Sequence, residues 1–241
     1  MVTLRRLLLL LMLCAPLLLR AETAARIVFA TPEVVIINSL GVERAALKGA
    51  NVDAGESIDT RAGRVQLAFL DGASMSLLPG TRFRVDEFRY AAVNKVTPGD
   101  GVVMTLVKGA LRTVTGWLGK GDRQQYRLGS SVATIGIRGT EYGARLDAEG
   151  LTVSVYEGAV EVCSDAGCAT IAKGKTLRVR DRKEFPQVLS DGGPRSDSPA
   201  VVPELQLQTP YQDATSGRPT PPPPPSEPGG SQRSPNSTNP R

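Results

Sequence analysis

From about residue 26 onward the chain alternates apolar and polar side chains in short runs. In LTVSVYE, Leu151, Val153 and Val155 fall on one face, and Thr152, Ser154 and Tyr156 on the other. RVQLAFL places Val65, Leu67 and Phe69 together in the same way. A period of two is the pattern of a strand with one face against a core. Glycine-bearing breaks recur at Pro79-Gly80, in TPGDG at 97–101 and in AEG at 148–150. Short alternating runs bounded by such breaks predict an all-β domain, and no long stripe of helical period competes with them.

One plan recurs within this pattern. FLDGASMSL (69–77), LVKGALRTV (106–114) and VYEGAVEVC (155–163) each run two apolar residues, a charge, Gly-Ala and then alternation, with IAKGKTLRV (171–179) as a weaker copy. The glycines Gly72, Gly109, Gly158 and Gly174 lie 37, 49 and 16 residues apart, so the echo is no strict repeat. It predicts similar corners, where glycine adopts positive φ or leaves room for a neighbouring backbone. The expected architecture is a single twisted β-solenoid or β-roll-like domain, with a β-sandwich as the alternative. Such a domain, covering residues 26–189, is long enough to bury about 70% of its unfolded surface.

The flanks break the pattern. Arg5-Arg6 precede an apolar run of 13 residues, 7–19, and small residues follow, with Ala21 and the Thr23-x-Ala25 pair as candidate cleavage points. As a helix that run rises about 20 Å, short of the roughly 30 Å hydrocarbon core. Residues 1–25 are therefore expected to be a signal peptide, with no transmembrane span after its removal and a periplasmic or secreted destination. Leu13 stands where a lipid-modified Cys14 would want a small residue. Residues 190–241 are rich in Pro, Ser and Gly, with five consecutive prolines at 221–225, and read as a disordered tail or spacer. PAVVPELQLQTPY at 199–211 is the tail's one apolar patch.

Charge and composition narrow the chemistry. Residues 26–189 hold 22 basic and 18 acidic side chains, a net +4 of mixed sign that gives no reason to expect a nucleic-acid partner. The chain has no histidine, so a Ser-His-Asp triad is impossible and the commonest general acid–base group is missing. A carboxylate pair of glycosidase type remains conceivable. However, Asp86-Glu87 point to opposite faces of one strand, and Glu157 and Glu161 bracket the Gly158 corner. Trp117 in TGWLGK reads as core or cap, or as a platform for a sugar. After the leader only Cys163 and Cys168 remain, too few for a metal site. They flank Asp165–Gly167 on two strand-like runs, so the thiols would face each other across a hairpin and form a disulfide in an oxidising compartment. No cofactor and no metal is expected.

The stretch VATIGIRGTEYGARL, followed by LTVSVYEGAVEV and AKGKTLRV, resembles the FecR-type periplasmic domain family. RAGRVQLAFLDGASMSLLPGTRFRV and LVKGALRTVTG upstream extend the likeness to about residues 26–180. The resemblance implies a bacterial periplasmic module that passes signals by protein contact, in its best-known form behind a cytoplasmic anti-sigma segment and one membrane helix. This sequence shows neither of those, so only the periplasmic module carries over. An envelope or outer-membrane protein is then the expected partner, with cell-wall polysaccharide as the alternative. Within the motif, Ile135 and Ile137 point to one face. Arg138 and Glu141 straddle a Gly139-Thr140 turn where their charges meet or satisfy strand-end backbone groups. Gly139 absorbs an unusual backbone angle, and Tyr142 covers the corner with its hydroxyl on a polar partner. Arg138 reads either as a brace for loop backbones or as a partner-binding group at the rim. No glycine-rich loop leads into a helix, so the stretch makes a poor phosphate cradle.

Overall fold

The computed structural model describes residues 22–91, 94–121 and 125–189, without the Arg138 side chain. The expected leader up to residue 21 and the expected tail from residue 190 lie outside the described residues. The alternating runs become strands: β1 (Thr23–Ala30), β2 (Val35–Ile37), β3 (Glu43–Ala45), β4 (Asn51–Asp53), β5 (Ser57–Asp59), β6 (Val65–Phe69), β7 (Ser74–Leu77) and β8 (Arg82–Arg89). There follow β9 (Gly101–Val114), β10 (Tyr126–Gly129), β11 (Thr134–Asp147), β12 (Gly150–Ser164), β13 (Gly167–Ala172), β14 (Thr176–Val179) and β15 (Gln187–Leu189). A three-residue 3-10 turn, Leu118–Lys120, follows β9. The fold is all-β, as the period-two pattern predicts.

The strands join in one hydrogen-bonded sheet. Its main path runs β15-β14-β12-β11-β10-β9-β7-β6-β1-β4, and a branch β3-β2-β5-β8 meets it at β9. The stacked coils of a solenoid or roll are not confirmed. Neighbouring strands pair antiparallel, often through tight hairpins such as β6–β7 and β12–β13, and among the described residues only β9–β10 is parallel.

Three long strands organise the sheet, and each changes partner part-way along. Strand β9 pairs with β8 up to Lys108 and with β11 from Gly109 onward. Strand β11 pairs with β10 at Thr134 and Ile135 and with β9 from Glu141. Strand β12 pairs with β14 over Leu151–Ser154 and with β13 from Ala159. The changes fall at Gly109, Gly139 and Gly158, with φ of 91°, 59° and 77°. Two of these glycines are also required for close approach. A Cβ on Gly109 would lie 2.5 Å from Thr81 Cα, and one on Gly158 would lie 2.5 Å from the Gly139 carbonyl oxygen. The bends of β11 and β12 therefore stack backbone on backbone. Leu67, Met75, Phe83, Met104, Leu106, Leu111, Val153 and Val160 fill the core that the curling sheet encloses.

Candidate functional site

The Arg138–Tyr142 stretch lies inside β11, with no turn that separates strands. The expected Gly-Thr turn is instead an irregularity in the β11–β12 ladder between Arg138 and Glu141. Gly139 takes the positive φ there and is exposed. One kinked position lets β11 change partner without leaving the sheet.

Each motif residue then has a place. Ile135 and Ile137 are buried in the core, as the alternation implies. Thr140 is buried, and its backbone is clasped by Thr115: the Thr140 amide donates to Thr115 Oγ1 at 2.9 Å, and the Thr115 amide and hydroxyl both donate to the Thr140 carbonyl at 3.0 Å. Thr140 Oγ1 is buried without a hydrogen-bond partner among the described residues. Tyr142 is fully buried and shares a 2.7 Å hydrogen bond with the hydroxyl of Tyr126. Burial pushes both phenols well above their ordinary pKa, so the pair stays protonated.

Glu141 is held by a different arginine from the one the local sequence suggests. Arg112 on β9 donates to it from Nε at 2.8 Å and from Nη2. The same guanidinium stacks 4.3 Å above the Tyr156 ring on β12. One cation thus ties three adjacent strands on the sheet face opposite the core. The Arg138 side chain lies outside the described residues; its backbone pairs with Ala159.

The segment after β9, TGWLGKG, packs against this bend, and the sequence reading did not foresee that role. Asp71, buried in the β6–β7 turn, holds it. Its Oδ2 accepts the Leu118 amide at 3.2 Å, its carbonyl accepts the Trp117 amide at 2.9 Å, and its Oδ1 accepts the Ala73 amide at 3.1 Å. Gly116 and Gly119 permit the approach. Cβ atoms there would lie 2.4 Å from the Asp71 carbonyl oxygen and 2.7 Å from Ile137 Cδ1. The signal was present in the glycine spacing of TGWLGKG, but its partner lies 47 residues away. Trp117 is not part of the core: it stands just ahead of the 3-10 turn and is 39% exposed, with Lys120 Nζ 5.2 Å from its ring centroid. Lys120 Cγ would lie 3.9 Å from a Cβ on Gly139. Trp117, Lys120 and Gly139 thus form one exposed ledge over a rigid, buried support.

Elsewhere, Cys163 and Cys168 are directly opposite in the β12–β13 hairpin and are joined as a disulfide. Glu157 is engaged by Lys173 Nζ at 2.7 Å, and Asp86 accepts the Thr105 hydroxyl at 2.6 Å besides its ion pair with Arg84. No group of three or more potential metal ligands is found among the described residues.

No curated protein matches the chain. Two solved structures, both of a proposed anti-sigma factor from Parabacteroides distasonis, share 15% identity with it. The matches cover 57% and 68% of this chain and 60% and 62% of theirs, with TM-scores of 0.43 and 0.44. The chain thus spans less than two thirds of the length of either. Residues 56–161, from the turn before β5 through the kinked motif to β12, match the family described as FecR protein.

Proposed function

We propose that this chain is an exported FecR-domain protein of the bacterial envelope, a non-catalytic signalling or protein-binding module whose partner is an envelope or outer-membrane protein. The family match over residues 56–161 carries the reading, because it contains both the β11 bend and the ledge beside it. The ledge suits a protein partner. An exposed tryptophan with a lysine against its ring is the kind of anchor that dominates interfaces. Its support is braced from below by Asp71 and the Thr115–Thr140 clasp, so little conformational freedom would be lost on binding. One carboxylate of each pair considered for sugar chemistry, Asp86 beside Glu87 and Glu157 beside Glu161, is bound by a cation, and Asp86 by a hydroxyl as well, which gives the polysaccharide alternative no support.

The test is crosslinking in intact cells, with wild type compared against Trp117→Ala. One envelope protein should be captured by wild type and lost with the variant. The melting temperature should stay within a few degrees, since a half-exposed side chain contributes little to the core. Failure of wild type to capture any envelope protein, or hydrolysis of cell-wall polysaccharide by the purified chain, would overturn the proposal.

A further inference from the structure

We propose that the exported chain is cut between Ala21 and Glu22, so that the mature protein begins at Glu22. This rests on the export reading above. The sequence offers two cleavage points, and Thr23-x-Ala25 has the small residue at both recognised positions. The fold needs what that second cut would remove.

Strand β1 starts at Thr23 and lies between β4 and β6. Ala24 and Ala25 are fully buried members of the core. Ala25 sits opposite Val52 on one side and Phe69 on the other. The Ala24 carbonyl accepts the Leu70 amide at 3.0 Å, and the Thr23 hydroxyl donates to Asp53 Oδ1 at 2.7 Å. Even Glu22 is used: its carbonyl accepts the Ala54 amide at 2.8 Å, and its Oε1 accepts the Tyr90 amide at 3.4 Å. A chain beginning at Arg26 would lack all of these groups. The Leu70 and Ala54 amides would lose their acceptors, and the core would open beside Val52 and Phe69.

A cut after Ala21 removes none of them. Ala21 is small, and the apolar run ends only two residues earlier, at Leu19. A membrane-bound peptidase that recognises a small side chain before the scissile bond would add water across the Ala21–Glu22 amide. The Ala21 carboxylate then departs with the leader, and Glu22 keeps the new α-amine. Glu22 is exposed, so that charge stays in solvent.

The experiment expresses the full chain, fractionates the cells and determines intact mass and N-terminal sequence. An exported chain starting at Glu22 is the expected result. An exported chain that starts anywhere else, or that stays uncut, overturns the site and leaves the export reading standing. A full-length chain confined to the cell interior overturns the export reading and the site with it. Ala21→Arg gives an independent check. Most of that variant should remain uncut, and unchanged processing to the same N-terminus would overturn the assignment.

Discussion

Asp71 and Asp100 both close turns, and their surroundings drive their carboxyls in opposite directions. Asp100 accepts the Thr97 amide at 2.7 Å, the Thr97 hydroxyl at 2.8 Å and the Ala91 amide at 3.0 Å, and the Thr97 amide above all holds it below its ordinary pKa. Asp71 also accepts two amides through its carboxylate, but loss of water around it outweighs them and raises its pKa. A raised carboxyl binds more protons in the folded state than in the unfolded one. Its contribution to stability is therefore full at low pH and falls as pH rises from the ordinary carboxylate value to the raised one. Each unit of that rise corresponds to about 1.4 kcal/mol. Asp71→Asn cannot titrate, so it loses this slope. Urea unfolding of both proteins between pH 3 and pH 7 checks it: the difference in stability should move toward the asparagine variant as pH increases. A constant difference would show that Asp71 titrates as it does in water.

At the scale of elements, the four echoed glycines all have positive φ, but for two different reasons. Gly72, in the β6–β7 hairpin, and Gly174, in the turn between β13 and β14, have open space around a would-be Cβ. Gly109 and Gly158 sit inside long strands against backbone. Gly174→Ala should cost only the left-handed conformation, about 1 kcal/mol. Gly158→Ala meets the same penalty and must also push Gly139 away, so about 3 kcal/mol in all is expected. Thermal unfolding of the pair should show a clearly larger drop for Gly158→Ala; equal drops would mean that the β11 and β12 bends are not locked together. The sequence could mark these glycines but could not sort them, because a turn and an in-strand bend ask the same φ of the residue. That ambiguity is why the echo suggested stacked coils where the chain forms antiparallel hairpins and kinked strands. Features set by near neighbours were legible: the strand faces of Val65 and Leu151, the burial of Ile135 and Ile137, and the Cys163–Cys168 hairpin. Features set by distant register were not. Glu141 finds Arg112, 29 residues back, because β9 and β11 lie side by side, and nothing near Glu141 in sequence distinguishes that arginine from Arg138.

At the scale of the molecule, the disulfide tests how far stability depends on the core rather than on covalent closure. Cys163 and Cys168 are separated by five positions, so the bond closes a very small loop. In the chain-entropy account such a loop contributes about 2 kcal/mol. A domain of this kind has in total about 5–15 kcal/mol. The buried side chains from β1 to β14 form one continuous core, and the bond lies near its edge, with Cys168 exposed and reachable by reductant. Reduction should therefore loosen the β12–β13 hairpin without dismantling the sheet. Treatment with dithiothreitol, or the double substitution Cys163→Ser and Cys168→Ser, should lower the melting temperature by about 4–8 °C. The transition should remain single and the far-ultraviolet circular dichroism strand-dominated. Loss of that signal on reduction would mean that the hairpin governs the fold, and the account of a core carried by three glycine-kinked strands would have to be abandoned.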